Sequence, residues 1–315
     1  MSLRTVFAFS GQGSQYYRMG EALWQRNARF RARMMRMDSL VQDLGGPSVL
    51  AALYAPERTK AEVFDRLALT HPAIFMVEWA TAQLLIERGA EPDLVLGASL
   101  GTFTAAALAG CMDWETALTN IVRQAAVVEA HATPGGMIAV LAEPRLARDD
   151  ELLRRSELAA RHFDRHFVLA AKRDELALIE DHLAALEVTH QRLPVRYPFH
   201  SRWMDDIRPA LRAATDAPTT LRAQLPVACC AAVEVLKELA PEHFWSVARR
   251  PIEFAALVAR LEAEGGPWRY IDVGPAGTLA TFLRYALPPG SRSEVFPTLT
   301  PLGSDLRNLD AIFFS

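Results

Sequence analysis

The chain has 315 residues, half of them hydrophobic, with 34 basic and 37 acidic side chains and a net charge of −3. This length can hold one large α/β core, or a large and a small one. Nearly balanced charge argues against a nucleic-acid partner, and no apolar run reaches the roughly 18 residues of a membrane span. Three cysteines without disulfide or metal-ligand spacing, and an N-terminus without a signal-peptide pattern, favour a cytoplasmic protein.

The N-terminal segment predicts a strand that ends in a glycine-rich loop. Residues 5–9 are apolar and β-prone, and residues 10–15 read Ser-Gly-Gln-Gly-Ser-Gln. The two glycines around Gln12 let the backbone turn with its amides pointing outward, which suits an anion. An ordinary strand-to-helix turn has the same composition, so this loop alone leaves both interpretations open.

Helices are predicted for most of the next 70 residues. Residues 16–44 carry apolar side chains among interspersed arginines, and residues 48–54 form a short helix. A third helix, residues 70–88, opens with His71 and Pro72, because proline is favoured near the first turn of a helix. His71 is open to two interpretations, a helix cap or a site residue.

Residues 93–106 carry the strongest functional signal in the chain. An apolar run at 94–96 predicts a buried strand, Gly97 and Gly101 bracket Ser99 in a G-x-S-x-G pattern, and a helix of small residues follows at once. This arrangement is typical of a nucleophile elbow, a sharp strand-to-helix turn that exposes its central side chain. The helix adds N–H donors and a positive dipole end, which would stabilise an oxyanion beside Ser99.

A change of pattern near residue 134 predicts an inserted subdomain. Asp113 is a good N-cap for a helix that ends near His131, and Thr-Pro-Gly-Gly at 133–136 stops it. The next stretch alternates in the order β-α-β-α-β, which indicates a small α+β unit. Its strands are predicted at residues 137–141, 167–171 and 188–195, and its helices at 145–155 and 174–186.

The remaining third returns to the larger domain. Pro-Phe-His-Ser at 198–201 closes the insertion and brings Phe199 and His200 to the junction. Helices are predicted at 203–211, 241–248, 251–263 and from 278, and strands at 225–232, 268–273 and 295–299. After residue 299 no further element is predicted.

Four motifs stand in one order along nearly the whole chain: GQGSQ at 11–15, GASLG at 97–101, PFHS at 198–201 and IDVGP at 271–275. With them, the chain resembles the malonyl-CoA:acyl-carrier-protein transacylase family, which includes the acyltransferase domains of polyketide synthases. The resemblance implies an α/β fold in which an α/β-hydrolase-like large domain holds an inserted ferredoxin-like α+β small domain. The implied boundaries are 1–133 and 199–315 for the large domain and 134–198 for the small one.

The resemblance also implies a role for each matching residue. Ser99 would be the nucleophile and His200 its general base, while the backbone N–H groups of Gln12 and Leu100 would form the oxyanion hole. In this family a main-chain carbonyl, not an acid, holds the histidine. The matching segment includes Glu253, which is the expected orienting residue.

Two departures from the family pattern bear on the substrate. Histidine is usual where this chain has Ala98, so one polar contact beside the nucleophile is missing. Malonyl-specific members bind the substrate carboxylate with an arginine, and that place falls on Gln124; the adjacent Arg123 would point about 100° away on the helix. A neutral amide cannot replace the charge, so malonyl selectivity is not expected. The alternative for Gln124 is a polar residue on a partly buried helix.

A glutamine at this place resembles the acyl hydrolases of polyketide pathways whose modules lack their own acyltransferase, enzymes that clear stalled acyl chains from carrier proteins. Residues 159–168 also resemble that branch, although His162 stands where asparagine is usual. The implied partner is acyl carrier protein with a phosphopantetheine-bound acyl chain, or acyl-CoA, with no metal or cofactor. The expected substrate-pocket residues are Gln124, Ala98, Phe199 and His71.

Three functions stay open on this basis. The acyl group on Ser99 goes to water in a proofreading hydrolase, or to a carrier protein or coenzyme A in an acyltransferase. A catalytically weak docking partner of a synthase is the third, suggested by Ala98 and the altered small domain. For His200 alone, a structural role at a domain junction is the alternative. The remaining histidines are interpreted as structural or surface groups, since none has metal-ligand spacing.

Overall fold

The computed structural model describes residues 3–215, 221–240 and 242–314. The strands are β1 (Arg4–Phe9), β2 (Leu94–Gly97), β3 (Gly135–Val140), β4 (Ser156–Phe163), β5 (His166–Lys172), β6 (His190–Arg192), β7 (Leu221–Cys229), β8 (Glu234–Leu239), β9 (Ile252–Glu253), β10 (Trp268–Asp272) and β11 (Glu294–Pro297). The helices are α1 (Glu21–Arg26), α2 (Ala28–Asp43), α3 (Val49–Leu53), α4 (Leu67–Glu87), α5 (Gly101–Leu108), α6 (Trp114–His131), α7 (Asp150–Arg155), α8 (Arg173–Ala185), α9 (Arg208–Ala214), α10 (His243–Arg249), α11 (Phe254–Gly265), α12 (Thr278–Ala286) and α13 (Asp305–Phe314). Within these ranges no helix combines the length and apolar character needed to cross a membrane.

The larger sheet has the strand order β11-β10-β1-β2-β7-β8, and only β8 runs antiparallel to its neighbour. Phe7 and Phe9 of β1 face a core that includes side chains of α2, α4 and α5, whereas Val6 and Ala8 face a core with α11 and α12. This burial on both faces is what a parallel sheet between helices requires. Because β1 and β2 run parallel, the loops that follow them meet at one sheet edge.

The smaller sheet has the order β6-β3-β5-β4-β9. Its first four strands pair antiparallel and connect as β-α-β-β-α-β, the ferredoxin-like arrangement. Helices α7 and α8 cover one face with a core of its own, including Leu152 and Ile179. The fifth strand, β9, comes from the later part of the chain and pairs parallel with β4. Strand β9 lies in the predicted second segment of the large domain, yet it pairs with the small sheet. The predicted domain boundaries stay a prediction.

Strand β4 is the main element that the sequence prediction missed. The predicted order β-α-β-α-β lacks it, because alanines at its centre have no strand preference and its side chains do not alternate cleanly. Pairing with β5 on one side and β9 on the other forms the strand. Tertiary contacts outside the segment therefore decide its structure.

Several helix boundaries also differ from the prediction. The helix predicted at 16–44 is two helices, because the side chain of Asn27 accepts a bond from the N–H of Phe30 and starts α2 anew. Helix α4 begins at Leu67, three residues before the predicted start, and Pro72 lies inside it. His71 is consequently within the helix, and its interpretation as a cap is wrong. Asp113 caps α6 as predicted, accepting from the N–H of Thr116 at 2.6 Å.

The other differences are local. Residues 145–155 and 203–211 each begin as a 3-10 turn, at Pro144–Arg148 and Arg202–Ile207, before α7 and α9. The helix predicted at 251–263 begins as the short strand β9, and only the three residues of β6 form in the strand predicted at 188–195. In the helix predicted at 241–248, residue 241 lies outside the described residues. Strand β8 and helix α13 were not predicted.

Candidate active site

Ser99 lies on the turn between β2 and α5 in a backbone conformation that side chains rarely adopt, with φ of +54°. Such a conformation costs of order 1–3 kcal/mol and persists only where the surroundings impose it. The loop after β1 passes so close that a Cβ atom on Gly11 would lie 2.7 Å from the Cβ of Ser99 and 2.8 Å from the carbonyl oxygen of Ala98. Glycine at this position therefore lets the loop lie directly beside the elbow.

Ser99 and His200 are in contact, and the hydrogen bonds of the histidine show which ring nitrogen carries its proton. The Oγ of Ser99 lies 2.8 Å from Nε2 of His200, and Nδ1 of His200 lies 2.9 Å from the carbonyl oxygen of Arg250. Because a carbonyl only accepts, Nδ1 carries the proton and Nε2 accepts from the hydroxyl of Ser99. Burial lowers the pKa of His200 to about 4, so the ring is neutral at pH 7. This is the protonation state of a general base.

Glu253 does not orient His200, and that expectation is wrong. Its carboxylate forms an ion pair with Arg161, because β9 pairs with β4 and brings those two residues side by side. The contact to His200 comes instead from the main chain at Arg250, where α10 ends in an extended conformation that presents the carbonyl. A main-chain carbonyl from this segment was expected, but from a residue three positions later.

The glycine-rich loop is anchored from beneath by a buried carboxyl group, that of Glu78. Its oxygens accept from the N–H and the hydroxyl of Ser10, at 2.7 and 3.0 Å, and from the hydroxyl of Thr104 at 2.8 Å. Glu78 thus ties the end of β1 to α4 and α5, and burial raises its pKa to about 8. Sequence reasoning missed this residue, although an acidic side chain between apolar residues in the middle of α4 was the available signal.

Gln12 and Leu100 both line the cavity that contains Ser99, and their backbone donors are available. Within the described residues, neither backbone N–H donates a hydrogen bond to another protein group. The side-chain oxygen of Gln12 lies 3.1 Å from Nε2 of His71, which must donate because an amide oxygen only accepts. Burial lowers the pKa of His71 to about 4, so this ring is neutral too. His71 therefore fixes the side chain of Gln12 at the cavity wall.

A cavity of about 140 Å³ opens beside Ser99 and His200. All four residues expected in the substrate pocket line it: Gln124, Ala98, Phe199 and His71. Among residues 3–215, 221–240 and 242–314, none that lines the cavity is a lysine, arginine, aspartate or glutamate. Most of the wall is apolar, and its polar groups are serine, threonine, glutamine and histidine.

Gln124 and Arg123 point in different directions from α6, as the predicted register requires. Gln124 lines the cavity, whereas Arg123 does not. The guanidinium of Arg123 donates to the carbonyl oxygen of Ala214 on α9 at 3.5 Å. The nearest arginine in sequence is thus committed to another part of the structure.

Two histidines outside the predicted site also line the cavity. His162 on β4 and His166 on β5 face each other, with their Nδ1 atoms 3.1 Å apart. Sequence reasoning interpreted both as structural or surface groups. It did not place them at the cavity, because β4 was not predicted. Burial lowers the pKa of both rings, so these histidines, like His71 and His200, are neutral at pH 7. The described lining of the cavity therefore carries no formal charge.

The sequence pattern of the acyl transferase domain matches residues 6–313. The chain belongs to this family. It is 38% identical over 315 residues to the polyketide biosynthesis acyltransferase homolog BaeD of Bacillus velezensis, covering 99% of this chain and 96% of the relative. The polyketide biosynthesis acyltransferase homolog PksD of Bacillus subtilis is 35% identical over 308 residues, covering 98% of this chain and 95% of the relative.

Among solved structures, the acyltransferase domain from the second module of the salinomycin polyketide synthase superposes with a TM-score of 0.85 at 26% identity, covering 99% of this chain and 72% of that one. The match confirms the predicted fold class, a large α/β domain with a small ferredoxin-like subdomain. In this acyl transferase domain the cavity beside Ser99 is bounded by both sheets, because β3, β4 and β5 contribute Met137, His162 and Val168 to its wall.

Proposed function

We propose that this chain hydrolyses non-carboxylated acyl groups from acyl carrier protein during polyketide biosynthesis, a proofreading activity. The pathway is supported by the relatives BaeD and PksD, both named polyketide biosynthesis acyltransferase homologs and aligned over nearly their whole length. The observation that carries the proposal is the uncharged lining of the cavity beside Ser99. The partner is a carrier protein that delivers its acyl chain on phosphopantetheine.

Acylation of Ser99 uses the contacts already described. As Oγ attacks the thioester carbonyl carbon, its proton passes to Nε2 of His200, 2.8 Å away. The oxyanion of the tetrahedral intermediate accepts hydrogen bonds from the N–H groups of Gln12 and Leu100. The intermediate then expels the thiolate, which takes the proton from His200 and leaves an ester on Ser99.

The uncharged lining argues against malonyl groups as substrates. A carboxylate in the cavity would lose its hydration and find only uncharged partners among the described residues, such as the Gln124 amide and the neutral histidines. Burying an unpaired carboxylate costs several kcal/mol, and about 1.4 kcal/mol is tenfold in rate. A cavity of about 140 Å³ resembles in size those that hold one benzene molecule, which suits a short acyl chain.

Hydrolysis follows if water reaches the ester before a carrier-protein thiol does. An arginine–carboxylate pair would hold an acyl group in one pose, and Gln124 supplies no such ion pair. Water can then approach the carbonyl while His200 takes its proton and the two backbone N–H groups stabilise the second tetrahedral intermediate. Collapse of this intermediate releases the free acid and restores Ser99.

Transfer to a second carrier protein is the other candidate function, because membership in the acyl transferase family favours it. The test mixes the enzyme with a butyryl-loaded carrier protein and an unloaded carrier protein of different mass, and follows both by intact-protein mass spectrometry. Hydrolysis predicts loss of butyryl from the first with release of butyrate. Butyryl appearing on the second carrier in near-equal amount would show that the enzyme is a transferase.

A further inference from the structure

We propose that His162 and His166 form a polar subsite that selects acyl chains carrying a hydroxyl group. The inference rests on the proposed function, since it names the class of acyl group held in the same cavity. It starts from the bond between the two rings, whose Nδ1 atoms are 3.1 Å apart. Both rings belong to the β4–β5 hairpin and line the cavity that contains Ser99.

The protons of two neutral rings in this arrangement can be counted. One Nδ1 carries the hydrogen and donates, so the Nε2 of that ring is unprotonated and accepts. The other Nδ1 accepts, so the proton of that ring is on Nε2, which donates. Whichever ring donates in the pair, the two Nε2 atoms together offer one donor and one acceptor. A hydroxyl group, which both donates and accepts, can bond to either.

The ring of His162 is held in one orientation. It stacks on Phe282 of α12 with centroids 4.1 Å apart and an interplanar angle of 20°, and the edge of Phe254 lies at 6.4 Å. Helix α12 is itself fixed at its start, where the buried carboxyl of Asp272 accepts from the N–H of Ala280 at 2.8 Å. The polar edge of His162 is therefore positioned before any substrate arrives.

The Nε2 atoms are available to a ligand. Neither the Nε2 of His162 nor that of His166 has a hydrogen-bond partner among the described residues. Neither atom is fully buried, so both are accessible from the cavity. Around them the wall is apolar, with Met137, Ala160 and Val168 on the small sheet. A polar edge on an apolar wall needs a partner, because an unpaired polar group in such a place is unfavourable.

A saturated chain in this part of the cavity displaces water from Nε2 without replacing its hydrogen bond, whereas a hydroxyl replaces it. The net value of one such bond corresponds to a preference of about two- to tenfold. A keto group only accepts, so it can use only the protonated Nε2. We therefore expect hydroxyacyl groups to react fastest, ketoacyl groups next and saturated groups slowest.

The test compares butyryl with 2-, 3- and 4-hydroxybutyryl pantetheine thioesters, measuring kcat/KM for formation of the ester on Ser99. For the intact enzyme, at least one hydroxylated substrate should exceed butyryl by about two- to tenfold. In the double variant His162→Phe/His166→Phe, which removes both Nε2 atoms and keeps an aromatic ring against Phe282, this ratio should fall to about one. In His162→Asn, which keeps a polar group in place of the ring and leaves His166 intact, the preference should be retained in part.

The matched control is His190→Phe, because the side chain of His190 bonds, among the described residues, only to the carbonyl of Val188 and does not line the cavity. Its ratio should equal that of the intact enzyme. Equal rates for butyryl and all three hydroxybutyryl groups in the intact enzyme would overturn the proposal without any variant. An unchanged ratio in His162→Phe/His166→Phe would overturn it as well. Because ester formation precedes both hydrolysis and transfer, a failure of this test is distinct from a failure of the proposed hydrolysis.

Discussion

The two ends of the cavity differ in how their polar groups are satisfied. At the catalytic end, His200 bonds to Ser99 and to the Arg250 carbonyl, and Glu78 anchors the loop beside them. On the acyl wall, Gln124 and His162 present polar atoms that have no partner among the described residues. The polar groups of the first end are bonded within the protein, whereas those of the second are open to a ligand. We therefore propose that the chemical step and the choice of acyl group depend on separate sets of residues.

The largest expected effect breaks the catalytic end alone. Ser99→Ala removes the atom that forms the ester, so turnover of butyryl thioester should fall by roughly 10⁴-fold or more. No ester should be detected by mass spectrometry. Ser39→Ala is the matched control, because Ser39 lies exposed on α2 and its hydroxyl bonds, within the part of the chain that the structure describes, only to its own helix. Unchanged turnover in Ser99→Ala would end the assignment of the nucleophile.

A change on the acyl wall should alter selectivity and leave the chemistry in place. Gln124→Arg introduces a cation into the uncharged cavity, so formation of the malonyl ester should rise by about tenfold or more relative to butyryl. Gln191→Arg adds the same charge on exposed β6, outside the cavity, and should leave the ratio unchanged. Equal ratios in the two variants would mean that Gln124 does not face the acyl group.

The burial of His200 predicts an unusual pH dependence. Its pKa is lowered to about 4, and the neutral ring is the active form, so kcat/KM should be lost only as pH falls through that value. At pH 5 the rate should stay close to that at pH 7, whereas a histidine with an ordinary pKa would lose about 25-fold. Return to pH 7 after each measurement controls for unfolding. A loss of kcat/KM centred near pH 6.5 would contradict the lowered pKa of His200.

The smallest expected effect concerns Glu253. Because its partner is Arg161 and not His200, Glu253→Gln removes only a partly exposed ion pair, and kcat should change by less than about threefold. Glu62→Gln, which breaks an exposed pair with Arg58, is the control. A fall of a hundredfold or more would restore Glu253 as the orienting residue, since replacing an orienting acid by its amide has effects of that size.

The sequence predicts the catalytic end better than the acyl wall. Ser99 and the loop at Gln12 were located because close-packed turns demand glycine, and glycine is visible in a sequence. The contact from Arg250 could not be assigned, because a main-chain carbonyl leaves no side-chain signal. His162 could not be placed, because β4 forms only through its pairing with β5 and β9. Local turn chemistry was therefore readable, whereas contacts between distant segments were not.

The most direct measurement of the central claim needs only the intact enzyme. It is mixed with equal concentrations of malonyl- and butyryl-loaded carrier protein, and the mass of the ester on Ser99 is recorded as it forms. The uncharged cavity predicts butyryl on Ser99, with malonyl slower by at least about tenfold. Malonyl ester forming as fast as butyryl ester would contradict the claim that this cavity excludes carboxylated acyl groups.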